Sequence, residues 1–245
     1  MSLVRTPALI LHTFPYGDTS RILRVLTPDY GLRSVIAKGA RNPRSRFGGV
    51  LEPFTEGEAQ FTLREGRDLL TLTGFSLIRS RQGIGRALAS FTGASLLAEI
   101  ALRVGTEEPH PELYHLLTAG LDRLAEPSPA PEATALTALW SLIGIVGFRP
   151  EMETCLRCDR RLLATEDARF DVEGGGIVCK SCRREGRILP APVRTEIIAM
   201  NRGEIPPIPV LHLRVHGALL DAFLPAHLSP ERGLRSLALF RDQLG

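Results

Sequence analysis

No stretch of this 245-residue chain approaches the roughly 20 unbroken apolar residues that a membrane helix requires. The start, MSLVRTPALILHTFPYGD, lacks a charged leader, a long apolar run and a small-residue cleavage site, so a cytoplasmic protein is expected. There is no G-x-x-x-x-G-K-[ST], which leaves ATP hydrolysis unsupported, and no G-x-S-x-G. Gly83-Ile84-Gly85 lacks the third glycine and the preceding strand of a dinucleotide fingerprint. Histidines are few and scattered. His212 and His216 share the i, i+4 spacing of a metal-binding helix, but no Glu follows as in H-E-x-x-H. Carboxylates are not clustered as in a two-metal nuclease. The expectation is a protein that is not an enzyme, with no catalytic residue assigned. Internal repeats and low-complexity tracts are missing as well. Lysine is nearly so: arginine supplies 28 of the 30 cations in every part of the chain, which reads as a genome-wide or thermal bias.

What is present suits a folded, two-domain chain. The hydrophobic fraction of 44% excludes global disorder. The net charge of +3 says little, but its distribution is uneven. Residues 1–80 carry a net +4 and residues 81–154 a net −4. In residues 21–50, seven cations meet one acid. A solvated basic face would suffice for that, yet such local excess favours a polyanionic partner, because each phosphate contact releases condensed counterions.

The first 80 residues read as short strands separated by turns. Leu9–Phe14 is an apolar run closed by Pro15 and Gly17, Ser20–Thr27 alternates, and Pro28-Asp29-Tyr30-Gly31 is a turn by composition. Leu32–Ala37 is a third strand. Phe54–Leu63 and Leu69–Ile78 are two more, joined by Glu65-Gly66-Arg67-Asp68 as a hairpin-like connection. Five strands in 80 residues suggest a small closed barrel, an oligonucleotide-binding (OB) fold with an SH3-like barrel as the competitor. From Ser80 the period becomes helical. Helices are expected over 87–102, 111–125, 134–146, 192–200 and 230–244, with 205–228 ambiguous because Leu211, Leu213 and Val215 alternate like a strand. The fold class is thus multidomain α+β: an OB barrel over 1–80, then a helical domain over 81–245 interrupted at about 150–188 by a cysteine-containing module.

All four cysteines lie in that module, as Cys155-Leu156-Arg157-Cys158 and Cys179-Lys180-Ser181-Cys182, with 20 residues between the pairs. Two C-x2-C knuckles at this distance form a zinc-ribbon signature. A two-residue spacer lets both thiolates of a knuckle face one ion, and a hairpin brings the knuckles together. Ala168–Val172 and Ile177-Val178 around Gly174–Gly176 are that hairpin. Disulfides compete poorly in a reducing compartment, and neither knuckle opens the βαβ unit of a redox motif. One structural Zn2+ is expected, because four thiolates leave no open position for water or substrate. Arg157, Arg160, Arg161, Lys180, Arg183 and Arg184 surround the knuckles and could touch phosphate, although Asp159, Glu166 and Asp167 are interspersed.

Residues 39–49, GARNPRSRFGG, have no period and hold three arginines. Lys38, Arg41, Arg44 and Arg46 in or beside this loop can follow a phosphate backbone. Arg21, Arg24 and Arg33 extend the candidate DNA-binding set, although Arg21 and Arg24 would face opposite ways on an ideal strand. Phe14, Tyr16, Tyr30, Phe47 and Phe54 are available as stacking platforms, with Tyr16 and Phe47 preferred and the others assigned to the core. No base-reading motif is visible, so backbone recognition is expected.

The segment Tyr16–Thr27, Gly31, Ala37–Arg41, Ser45–Gly48 and Leu51–Phe54 resembles the N-terminal signature of the RecO family. Gly144–Cys158 is similar to that family's approach to its zinc module, and Gly174–Cys182 to the exit. The resemblance implies an OB domain, a helical domain with an inserted zinc module, and a bacterial, nucleoid-associated mediator of DNA repair and recombination. Such proteins bind single- and double-stranded DNA, anneal complementary strands and, with RecR, load RecA onto DNA coated by single-strand-binding protein. On this resemblance Lys38, Arg41, Arg44 and Arg46 are the basic motif and Cys155, Cys158, Cys179 and Cys182 the metal ligands. From the residues alone, a zinc-ribbon and OB-fold RNA-binding protein of translation or RNA processing remains an alternative, as do a zinc hydrolase and a structural adaptor.

Overall fold

The computed structural model describes residues 2–63, 66–228 and 233–245. The chain forms two compact units, Met1–Ile84 with Ala98–Ala125, and Gly85–Leu97 with Glu126–Gly245.

In the first unit five strands close a barrel: β1 (Ser2–Tyr16), β2 (Ser20–Thr27), β3 (Gly31–Ala37), β4 (Glu56–Leu63) and β5 (Leu69–Arg79), in spatial order β1-β2-β3-β5-β4. All neighbours are antiparallel except β3 and β5. This is the Greek-key closure of an OB fold, and it decides against the SH3-like competitor. Alternation places Ala8, Ile10, Leu23, Val25, Val35, Ala37, Ala59, Phe61, Leu70 and Leu72 inside. The expected short first strand is 15 residues long. Its first half pairs with β4 and its second half with β2, and a register shift between Ile10 and His12 turns it from one partner to the other. The expected β4–β5 connection contains Glu65, which lies outside the described residues; Gly66 is a positive-φ turn residue.

The segment between β3 and β4, residues 38–55, has neither helix nor strand. Successive tight turns hold it, with Asn42 N donating to Gly39 O (3.1 Å), Ser45 N to Asn42 O (2.9 Å) and Val50 N to Phe47 O (3.1 Å). Phe47 and Leu51 pin it by entering the barrel core.

Helix α1 (Leu88–Val104) ends in this unit, and α2 (Pro111–Ala125) lies within it. Their connection meets the β2–β3 turn, where Leu32 N donates to Thr106 O (2.7 Å). Only glycine fits at Gly31: its φ is +61° and a Cβ would lie 2.3 Å from Glu108 O. A buried network reinforces the attachment. Arg81, with 1% of its side chain exposed, bonds Glu56 (2.6 Å), Asp122 (2.6 Å) and Phe54 O (3.0 Å), while Tyr114 Oη donates to Glu56 Oε1 (2.8 Å). Burial first, and then the Glu56 carboxylate, raise the Tyr114 pKa, so its phenol stays a donor. Compactness therefore groups α2 with the barrel, a different division from the 80/81 boundary read from the periodicity.

The second unit contains α3 (Pro131–Ile143), α4 (Ala191–Asn201), α5 (Val210–Leu228) and α6 (Arg235–Arg241), with a small sheet between α3 and α4. That sheet runs β7-β6-β8, from β6 (Ala168–Asp171), β7 (Gly176–Val178) and β8 (Ile188–Leu189). The ambiguous segment is helical. His216, Leu219, Leu220, Phe223 and Leu224 are buried at helical spacing, whereas Leu211 is 71% exposed, so the apparent strand alternation does not follow burial. Part of the expected last helix, residues 230–232, lies outside the described residues. Pro131–Phe148 is apolar enough by composition to span a membrane, but Leu136, Leu139 and Trp140 are fully buried as core of this unit. Trp140 and Phe170 both pack on Phe223 (centroids 6.2 and 5.8 Å).

Candidate metal centre and nucleic-acid interface

The first knuckle is shaped by its own backbone. Asp159 N donates to Cys155 O (3.0 Å) and Cys155 N to Arg160 O (2.9 Å), with Asp159 in the left-handed region at φ +56°. In the second, the N–H groups of Cys182 and Arg183 donate to Cys179 O (3.1 and 3.2 Å). Leu156 N to Ile177 O (2.9 Å) and Cys179 N to Cys155 Sγ (3.3 Å) join the two. All four sulfurs lie within 4.8 Å of one another, and Cys158 Sγ stands 3.9 Å from Cys179 Sγ. Zn–S bonds of about 2.3 Å in a tetrahedron require S···S near about 3.8 Å, so the donor set fits one such ion. A disulfide, at about 2.05 Å, does not fit. Burial pushes the Cys155 thiol up, but N–H donation from Cys179, Arg157 and Cys158 outweighs it and brings the thiol down to about 6. Cys182 is pushed up to about 12 by hydrogen bonds to Cys158 and Cys179.

A residue that sequence reading missed fastens this module. Arg194 of α4, 1% exposed, donates through Nη1 to Met152 O (2.8 Å) and through Nη2 to Leu163 O, on either side of the first knuckle. An arginine in an otherwise ordinary amphipathic helix carries no local signal of that role.

Lys38, Arg41, Arg44 and Arg46 are all exposed on the turn-rich loop, and none has a carboxylate partner among the described residues. Arg41 ties the loop to the β1–β2 turn: its N–H donates to Thr19 O (2.8 Å) and its guanidinium to Gly17 O (3.2 Å). Arg46 lies over the Phe47 ring at 4.9 Å. Two of the other candidates do not join this group. Arg21 bonds Glu52 (2.8 Å) and Leu51 O (3.1 Å). Arg33, at the far end of β3 from Lys38, pairs with Glu107 and donates to Tyr30 O (2.7 Å). Their charge is offset by carboxylates 31 and 74 positions away, which inspection of residues 21–50 alone does not bring to light. Arg24 is half-buried, and its Nε has no hydrogen-bond partner among the described residues.

The preference for Phe47 as a stacking surface is corrected: it is 3% exposed and belongs to the core. Tyr16 is 52% exposed, and Phe14, assigned to the core from sequence, is 38% exposed. Around the knuckles the cations are mostly neutralised, Arg160 by Glu166 (3.0 Å), Arg161 by Glu153 (2.6 Å), Lys180 by Asp167 (3.1 Å) and Arg183 by Asp171 (3.5 Å). These cations are more fully paired with carboxylates than those of the barrel loop.

The His212/His216 pair serves packing. His212 Nδ1 and His216 Nε2 bond the two oxygens of Glu196 on α4, at 2.6 and 3.0 Å. Among the described residues the four cysteines are the sole group placed to hold a metal.

Comparison with known proteins agrees with this arrangement. The family model described as recombination protein O N terminal matches residues 1–81, and that described as recombination protein O C terminal matches residues 86–237. A DNA repair protein RecO of Nocardioides is 34% identical, with 96% of this chain and 98% of that protein covered. One from Streptomyces griseus is 32% identical over 97% of this chain and 98% of its own length. One from Geobacter metallireducens is 32% identical over 99% and 98%. An OB barrel with an exposed basic loop, a helical unit with an inserted four-cysteine module, and full-length similarity to these proteins together place the chain in the RecO family of DNA repair and recombination proteins.

Proposed function

We propose that this protein is a recombination mediator that acts by binding DNA, without a chemical step. It binds single and double strands, anneals complementary strands and, with RecR, helps load RecA onto DNA coated by single-strand-binding protein, in the cytoplasm at the bacterial nucleoid. The observation that carries this reading is the group of four exposed cations, Lys38, Arg41, Arg44 and Arg46, which have no carboxylate partner among the described residues and share one loop of an OB barrel. Both DNA forms offer the phosphates such a loop neutralises. Annealing requires two polyanions to approach, and cations between them lower the repulsion. Arg24 adds charge on the neighbouring strand, while Arg21 and Arg33 contribute less because Glu52 and Glu107 offset them. RecR supplies a ring or clamp function that a chain of this size does not contain.

The cysteines hold one structural zinc in this reading. Cys155, Cys158, Cys179 and Cys182 fill its coordination sphere, and the ion stabilises a module too small to bury a core of its own.

The salt dependence of single-stranded DNA binding tests the proposal. Arg41→Ala and Arg44→Ala should each reduce the slope of log K against log salt by about 0.7, the value for one single-strand phosphate contact. Unchanged slopes would remove the loop from the DNA site. Matched RNA oligonucleotides in the same titration test the RNA-binding alternative.

A further inference from the structure

The two knuckles of the four-cysteine module differ in how far solvent reaches their sulfurs. Cys155 and Cys179 are buried, Cys182 is half-buried and Cys158 is exposed. The difference follows the backbone. Residues 156–161 of the first knuckle are exposed without a break, and the left-handed turn at Asp159 lies among them. The second knuckle is folded back on itself. Cys182 N donates to Cys179 O (3.1 Å), and Arg183 beyond it pairs with Asp171 of β6 (3.5 Å). Cys158 Sγ nevertheless stands 3.9 Å from the buried Cys179 Sγ, across the gap between the knuckles. The module thus offers solvent one exposed sulfur with a second, sheltered sulfur close to it.

Oxidants attack cysteine sulfur according to its thiolate character and its access. Where all four sulfurs share one ion, as proposed above, thiolate character is common to them and access decides. We propose that Cys158 is an oxidative modification site that takes a hydroperoxide as co-reactant, with Cys179 as the resolving thiol. In the first step the Cys158 sulfur attacks one oxygen of hydrogen peroxide, the O–O bond breaks, and a sulfenic acid and one water result. In the second, Cys179 Sγ attacks Cys158 Sγ; the S–S bond forms, the S–O bond breaks, and a second water leaves. The two sulfurs are oxidised by two electrons in all, and the peroxide is reduced by the same two. Of the four hydrogens in the two waters, two come from the peroxide and two from the thiols, or from solvent where the sulfurs are metal-bound. Closing the bond draws the sulfurs from 3.9 Å to about 2.05 Å. Cys155 and Cys182 then remain as the only free thiols of the set, too few to fill a tetrahedral site, so the ion is released. This rests on the structural-zinc reading and adds what that reading leaves open, a reversible opening of the module by oxidation. The barrel contains no cysteine, so its loop cations are unaffected.

The zinc-loaded full chain is treated with hydrogen peroxide in the presence of a colorimetric zinc indicator. One zinc per chain should appear as two free thiols are lost, and a dithiol reductant with added zinc should restore both. At limiting peroxide, a cyclic dione that traps sulfenic acid should label Cys158 ahead of the other three cysteines. Without the trap, peptide mapping should find the Cys158–Cys179 bond. Cys158→His keeps a donor set of three cysteines and one histidine, which zinc accepts. It should hold its ion in peroxide long after the parent has lost it, whereas Cys182→His should release it at the parent rate. The oxidised parent should exchange amide hydrogens faster over residues 150–188, with the salt slope of DNA binding unchanged. Labelling that begins at another cysteine, a first disulfide other than Cys158–Cys179, or zinc retained by the parent in peroxide would overturn the modification site. Labelling the zinc-loaded parent needs no variant, so the assignment is tested even where a histidine variant fails to fold. A parent that binds no zinc would instead overturn the structural-zinc reading on which the site depends.

Discussion

Arg81 and Glu196 show how much single buried charges decide in this chain. Arg81 joins the start of β4 to α2 through Glu56 and Asp122, and Asp122 also accepts from Arg79 (2.7 Å). Removing one partner of a buried pair leaves the others uncompensated. Arg81→Ala should therefore lower unfolding stability by about 3–5 kcal/mol in urea denaturation. Glu196 holds α4 to α5 through both histidines. Burial works against its charged form, but hydrogen bonds from His216 and His212 outweigh burial and keep the carboxyl below the usual carboxylate range. A carboxyl depressed in the folded state stabilises the fold above its unfolded pKa, and the contribution is lost as pH falls through the folded value. The stability gap between the parent and Glu196→Gln should thus be largest near neutrality and shrink on acidification below the usual carboxylate range, as urea midpoints across that range would show. A constant gap would assign Glu196 a packing role only.

At the scale of elements, the four-cysteine module is a three-stranded sheet of short strands, fixed by Arg194 and by His227 Nε2 on Val172 O (2.7 Å). So small a sheet lacks the apolar area to hold two knuckles together, which is the work assigned to the ion. Chelation should release one zinc per chain. Hydrogen exchange should then speed up over residues 150–188, while the barrel strands stay protected and the salt slope of DNA binding is retained. Cys158→Ser should reproduce this without chelator. The spacing of the knuckles and the hairpin between them were legible because metal ligation is encoded in short-range sequence. β8 was not, since a two-residue strand has no period to detect. The helical character of 210–228 was hidden for a related reason: alternation at Leu211, Leu213 and Val215 mimics a strand until burial shows that the packed face begins at His216.

For the whole molecule, the charge pattern means something different after folding. Seven cations in residues 21–50 read as one basic stretch. Folding splits them: four on the loop have no carboxylate partner among the described residues, two are offset by Glu52 and Glu107, and Arg24 joins the outer sheet face. The cations around the knuckles, similar in number, are mostly paired with neighbouring acids. Exposed pairs of that kind add little stability, but they lower the local positive potential that attracts phosphate. The contrast supports the barrel loop rather than the knuckle face as the proposed DNA contact, in line with the acids interspersed among the knuckle cations in the sequence.

The sequence by itself determined the strand-rich first third, the helical remainder, the pairing of four thiols into two knuckles and the basic loop, because each depends on periodicity or spacing within a few residues. Tertiary structure decided which aromatic rings face solvent, which arginines keep their charge available and which helix belongs with the barrel. Those outcomes depend on partners tens of positions apart, such as Arg33 with Glu107 and Tyr114 with Glu56, which chain folding brings within bonding distance and local pattern does not encode.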